Sequence, residues 1–341
     1  MKQSQWLLSI IVAAFATSIF IMTIFIAPQS NDHGYDSIAS MTLNDSSEEQ
    51  IGSSDSFELI FVGDMMFDRY IRQTQEPSKY MNILSDELLN WLQSSSAVIG
   101  NLEGPITDEA SLTTYDQSNP NHYRFTFDPA ITSFLNQANI QAVSIGNNHS
   151  TNFGKSGITE TIYYLDQAGI ENFGNPYINT NVGTLNMNGL RVGFVAYNYA
   201  DSIPILVVLE NITHAKTSHD LVIVMPHWGS EYETNPNETQ KSLAANFVLA
   251  GADLVIGSHP HVVQNTSKIN DIPIYYSLGN FIFDQYFDNS VRCGLAVKLR
   301  FDNTGTSEID QRWVWLASDG TTEFANKNQC GHLLQDSNNN G

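Results

Sequence analysis

Basic residues are scarce in this chain. Its 341 residues include 15 Lys and Arg against 36 Asp and Glu, a net charge of −21 although only 15% of residues are charged. Such a surface stays soluble and repels nucleic acid, which sets DNA and RNA aside as partners. Cysteine is nearly absent: Cys293 and Cys330 are the two, too few for a closed thiolate zinc site. Outside the cytoplasm they either join in one disulfide across the C-terminal strands or stay as two buried thiols, and the sequence leaves both open. No internal repeat is found, and histidine numbers only nine. Four of those nine nevertheless fall in motif-like strings, namely His149, His227, His259 and His261.

The N-terminus reads as an address. Trp6 to Ile26 is a mostly apolar run free of charge, preceded by Lys2, and about twenty such residues cross a bilayer as a helix with the positive end in the cytoplasm. The expectation is a cytoplasmic stub over residues 1–5, a single-pass anchor over 6–26 and an extracytoplasmic remainder at the cell membrane. A cleaved signal peptide, giving a secreted protein, is the alternative, because Ala14-Phe15-Ala16 offers a cleavage site. The apolar run continues about ten residues past it, longer than an ordinary signal core. Residues 27–56 are rich in Ser, Asn and Asp and read as a disordered linker, 333–341 as a flexible tail. Residues 57–332 remain for a folded domain.

In that domain strands and helices alternate. FELIFVG, AVIG, QAVSIG, NVGTLNM, LRVGFVAYN, DLVIVM and DLVIG read as strands; ILSDELLNWLQ, ITSFLNQA, KSGITETIYYLDQAG and ETQKSLAANFVLAG read as helices. Repeated strand–loop–helix units predict an α/β fold with helices packed on its sheets. Ligands in such folds collect at the carboxyl ends of the strands.

Polar residues gather at those ends. Asp64 closes the first strand, Asn101 and Glu103 the second, and Asn147, Asn148 and His149 the third; His227 follows DLVIVM, and His259 and His261 follow DLVIG. Any one of them alone is ordinary loop punctuation. Five strands ending this way point to a metal or catalytic centre. Carboxylate, amide and imidazole donors without thiolate suit Mn, Zn or Fe.

VGDMM, GNLEGPIT, SIGNNHSTNFG, MPHWGSEY, GSHPHVVQ and YYSLGNFIFD, in this order from about Phe57 to Asp284, resemble the capsule and poly-γ-glutamate biosynthesis proteins of the CapA type, a family related to the calcineurin-like metallophosphoesterases. The resemblance implies a four-layer α/β/β/α sandwich with two divalent metals at its strand ends. By that resemblance Asp64 and His261 bind one metal, Asn148, His227 and His259 the other, and Glu103 bridges them. His149 takes the place of the imidazole that protonates a leaving group. Two positions depart from the pattern. Met66 stands where metallophosphoesterases carry a histidine, and a thioether is a poor ligand for a hard ion; Asn152 stands where the capsule family commonly has Asp.

Neighbouring residues carry paired readings. Arg69 meets an anionic substrate or forms a surface salt bridge; Glu231 orients a metal ligand or is a solvated loop acid; Asn280 stabilises a turn or touches substrate. Trp228 and Tyr232 form a pocket wall or pack beneath the loop. Two functions remain. One is a membrane-anchored, metal-dependent hydrolase or transferase acting on poly-γ-glutamate or a phosphoester, in company with capsule synthesis or export membrane proteins. The other is a non-catalytic factor that binds the anionic polymer and assists its export or anchoring.

Overall fold

The first apolar run forms β1 (Phe57–Met65), and its side chains divide by parity. Leu59 and Phe61 enter one apolar cluster, Ile60 and Val62 another, and all four are buried. A strand covered on both faces reads as an unbroken apolar run, which is why LIFV shows no alternation. The computed structural model describes residues 56–330, apart from 77–79, 115–117, 202 and 303–304. The expected stub, anchor and tail, and the linker up to residue 55, lie outside the described residues. Among the described residues no helix is long and apolar enough to cross a membrane.

After β1 come α1 (Arg69–Gln75), α2 (Asp86–Gln93), β2 (Ala97–Leu102), α3 (Ile131–Gln137), β3 (Ile140–Ser144), α4 (Gly154–Ala168) and β4 (Glu171–Phe173). Strands β1 to β4 pair in parallel. Local signals set the helix limits: the Ser85 side chain accepts from the Leu88 N–H to start α2, and Gly169, at φ 71°, ends α4. The chain then builds a second sheet from β5 (Val182–Met187), β6 (Leu190–Asn198), α5 (Ile205–Lys216), β7 (Leu221–His227), α6 (Glu238–Ala250), β8 (Leu254–Ile256), β9 (Thr266–Ile269) and β10 (Ile272–Tyr275). Its strand order is β5-β6-β7-β8-β10-β9. Finally β11 (Asn280–Ile282), α7 (Asn289–Arg292), β12 (Cys293–Asp302), β13 (Gly305–Leu316) and β14 (Thr322–Phe324) return to the first sheet, ordered β14-β13-β12-β1-β2-β3-β4 with β11 against β1.

Three apolar clusters separate the layers. Ile60, Val98 and Val143 of the first sheet pack under Leu88 and Leu92 of α2, Phe134 of α3 and Leu165 of α4. Leu59, Phe61 and Ile99 face Phe194, Ile223, Met225 and Ile256 across the gap between the sheets. On the far side, Val222, Val224 and Val255 meet Ile212 of α5 and Phe247 of α6. The layers thus run helices, sheet, sheet, helices.

Three of the helices described, α1, α5 and the single-turn α7, are not anticipated by the apolar pattern. α5 opens with ILVV, a β-branched run that hides its helical period, yet it buries Val208, Ile212 and Ala215 at spacings of four and three. The cysteine alternatives resolve as a Cys293–Cys330 disulfide with Cα atoms 5.8 Å apart, packed with Trp315.

Candidate metal centre

Register brings the polar residues together. Asp64 lies opposite Asn101 of β2 and Asn280 of β11, while His227 lies opposite Asn198 of β6 and bridges to Ser258 after β8. The end of β1 approaches the β10–β11 turn closely: the Asp64 N–H donates to the Gly279 carbonyl at 3.0 Å, and a methyl group on Gly63 would lie 1.9 Å from that oxygen. Glycine is therefore required before Asp64.

Asp64 and Glu103 are fully buried. The Asn101 amide donates to Asp64 Oδ1 at 2.8 Å, and its own oxygen accepts from the Asn147 amide at 3.1 Å. Asn147 Oδ1 in turn accepts from the His149 N–H at 3.1 Å, so Asn101 and Asn147 hold the loops that carry Asp64 and His149. Asp64 Oδ2 accepts from the His259 backbone N–H at 3.2 Å and lies 3.3 Å from His261 Nδ1. Glu103 Oε1 lies 3.5 Å from His261 Nε2 and 4.0 Å from His149 Nε2 but has no hydrogen-bond partner. Asn148 Oδ1 is 2.8 Å from His227 Nε2, and Ser258 Oγ is 3.0 Å from His227 Nδ1. His259 Nδ1 is buried without a partner. Asn280 Oδ1 faces His261 Nδ1 at 3.0 Å while its amide donates to protein carbonyls, which makes it an orienting residue.

Crowding of like groups divides the protonation states. Burial pushes the Glu103 carboxyl well up, as do Asp64 and Glu231, with His261 pulling the other way. Burial opposes charge on His261, yet Glu103 and Asp64 outweigh it and hold the imidazolium up at about 9. His227 is held well down by burial and the neighbouring imidazoles, His259 is pushed down to about 4, and His149 to about 3. The His149 ring lies tilted against Phe125, with centroids 4.4 Å apart, and the Asn152 amide lies 3.2 Å from its Nδ1. A neutral amide there supplies no charge to hold an imidazolium.

Among the described residues two donor groups emerge, each with its atoms within 4.8 Å of one another: Asp64, Glu103 and His227, and Glu231, His259 and His261. This grouping by distance differs from the division implied by the resemblance. An unpartnered carboxylate oxygen, an unpartnered imidazole nitrogen and a donor set of oxygen and nitrogen fit a divalent cation.

Arg69 is neither on the surface nor free. It is buried, paired with Asp284, 3.1 Å from His122 Nε2, and its guanidinium lies 4.9 Å from the Phe125 ring. Its partner Asp284 closes the string YYSLGNFIFD, but nothing in the spacing ties it to Arg69. Trp228 packs beneath the loop, stacked on Phe247, and its indole N–H donates to the Tyr276 carbonyl at 2.8 Å. Tyr232 does line a cavity of about 300 Å³ with Arg69, His122 and Tyr123.

Residues 58–285 match the family described as bacterial capsule synthesis protein PGA_cap. The chain belongs to this family. Among relatives, the PGA_cap chain is 28% identical over 280 residues to the PGA biosynthesis protein CapA of Bacillus subtilis (strain 168), covering 76% of this chain and 71% of that one. It is 29% identical over 279 residues to the capsule biosynthesis protein CapA of Bacillus anthracis, covering 75% and 67%. Solved structures similar to it include a hypothetical protein from Thermus thermophilus, with TM-score 0.48, 16% identity and coverage of 75% of this chain and 98% of that one. A putative 5'-nucleotidase from Staphylococcus aureus gives TM-score 0.44 and 13% identity, covering 83% and 58%.

Proposed function

We propose that this PGA_cap protein is a divalent-metal-dependent hydrolase or transferase of poly-γ-glutamate capsule production, anchored in the cell membrane with its folded domain outside. The observation that carries the reading is the convergence of Asp64, Glu103, Asn148, His227, His259 and His261 at the ends of parallel strands, with Glu103 Oε1 and His259 Nδ1 left without protein partners. The helix–sheet–sheet–helix layers and strand-end donors also support kinship with the metallophosphoesterases. A divalent ion held by these residues would supply Lewis-acid polarisation of a scissile phosphoryl or amide group and a water of lowered pKa. The chain's own residues do the rest. Asn101 and Asn147 lock Asp64 and the His149 loop in place, and Asn280 and Ser258 orient His261 and His227. His149 Nε2 faces Glu103 Oε1, and a neutral imidazole with its proton there donates a hydrogen bond to a leaving group.

A chain of net charge −21 repels a polyanion over most of its surface. Contact with the polymer, or with a phosphoester, is therefore local and centred on the metal. The membrane and the capsule synthesis and export proteins within it are the partners in this reading. The second reading, a polymer-binding export or anchoring factor without turnover, draws on Met66, whose Sδ accepts from the Asp68 N–H and leaves one metal short of a donor.

The test uses the purified full chain with Mn²⁺ or Zn²⁺, offered poly-γ-glutamate and a generic phosphodiester. Cleavage or transfer abolished by chelation and by His259→Ala supports the enzyme. Metal-dependent polymer binding without turnover selects the second reading, and a chain that binds no metal sinks both. Recovery of the chain in the membrane fraction, released by detergent and not by salt, checks the anchor.

A further inference from the structure

We propose that Glu231 is itself a metal ligand, completing a set with His259 and His261 at a centre where Met66 offers no donor; this rests on the metal-centre reading above. Two residues beyond Asp64, where a histidine would reach the metal, Met66 is fully buried in the apolar cluster beneath α1 to α4, and its Sδ is engaged by the Asp68 N–H at 3.0 Å. That position offers the ion nothing. Across the site, a Glu231 carboxylate oxygen and one nitrogen each of His259 and His261 lie within 4.8 Å of one another. His259 Nδ1 in this group is buried and has no hydrogen-bond partner, so its lone pair or proton is left for a ligand to fill.

The loop carrying Glu231 is held over the histidines by its backbone. Trp228, one residue beyond β7, is fixed by its indole hydrogen bond, and Gly229 turns at φ 91° where a side chain would strike Gln240. Tyr232, at φ 66°, donates its N–H at 2.8 Å to the carbonyl of Pro260, the residue between the two histidines. His259 and His261 also have positive φ, 99° and 58°. The hydrogen bond from Tyr232 ties the neighbour of Glu231 to the middle of the SHPH turn, and the carboxylate of Glu231 is presented on the exposed side of the two imidazoles. Glu231 with His259 and His261 then forms a three-ligand set on the open side, and Asp64, Glu103 and His227 form the buried one.

Metal content per full chain after dialysis, and titration with Mn²⁺ or Zn²⁺, test the assignment in wild type, Glu231→Gln and Glu233→Gln. Glu233 is an exposed acid on the same loop and controls for the loss of charge alone. Glu231→Gln is expected to lose one equivalent, or to weaken it at least about tenfold, a loss no smaller than removal of a supporting hydrogen bond to a metal ligand produces. Glu233→Gln is expected to match wild type, and the thermal midpoint without metal is expected to be the same in all three. Equal metal content and affinity in Glu231→Gln and wild type would overturn the proposal while leaving the metal centre standing. An equal loss in both variants would reduce Glu231 to a general charge effect and overturn it too. If wild type binds no metal, the proposal falls together with the metal centre.

Discussion

Asp201 sits half-buried beyond β6 and accepts a hydrogen bond from the Asn198 amide at 2.8 Å, next to the strand end that pairs with His227. Burial lifts its carboxyl to about 6 from the ordinary 3.8, against that hydrogen bond. The folded chain therefore keeps a proton that the unfolded chain has already lost. Its contribution to stability is present below the unfolded value and disappears as pH rises through about 6. Asp201→Asn should leave the unfolding free energy unchanged near pH 3 and raise it at pH 7 by about 1 kcal/mol after allowing for solvent screening, with the thermal midpoint rising in parallel. A difference between variant and wild type that stays flat over this pH range would show that Asp201 does not titrate in this way. Single residues are unevenly legible in the sequence. Met66 and Asn152 stand out against the motif pattern, whereas the Arg69–Asp284 pair joins residues 215 positions apart and carries no spacing signal. Glu231 is visible there only as a loop acid or an orienting carboxylate, because its closeness to His259 depends on how two loops meet.

Strands are easier to read than the short helices. β1, β2, β3, β7 and β8 are doubly covered and announce themselves as apolar runs, each ending where a polar residue enters the site. α1 is seven residues long, with too few turns for a period to show. The close passage of β1 past the β10–β11 turn makes a strong prediction. Gly63→Ala places its methyl 1.9 Å from a backbone oxygen, so β1 and β11 must separate. The variant should unfold at a midpoint lower by several degrees or more, with metal binding lost in parallel. Wild-type stability and metal content in Gly63→Ala would mean that the strands do not approach so closely.

For the domain as a whole, the Cys293–Cys330 disulfide ties the start of β12 to the last described residue and closes a span of 37 residues. Loop closure of that size limits the unfolded chain by about 4 kcal/mol. Cys293→Ser with Cys330→Ser should lower the thermal midpoint in the absence of reductant, and dithiothreitol should then have no further effect. The bridge packs with Trp315, but the start of β12 also backs onto Gly279 and Asn280 beside the site, so metal content is measured in the paired variant as well. Equal midpoints for wild type and the paired variant would show that the bridge adds no stability. A metal content that fell with the bridge would show that the C-terminal strands support the site.

Apolar runs and the residues that end them are local properties, so the sequence by itself determined an alternating α/β chain, polar donors at five strand ends, family membership and the exclusion of a thiolate site. Distances between donors are not local. Only the tertiary structure decided that Asn101 and Asn147 are committed to hydrogen bonds, that Glu103 Oε1 and His259 Nδ1 are not, that Arg69 is paired in the interior, and that Glu231 stands beside the two histidines. The physical reason is that these groups come from both sheets. Their separation is set by strand register, by the packing of one sheet on the other and by turns at positive φ, none of which leaves a pattern in the spacing of residues.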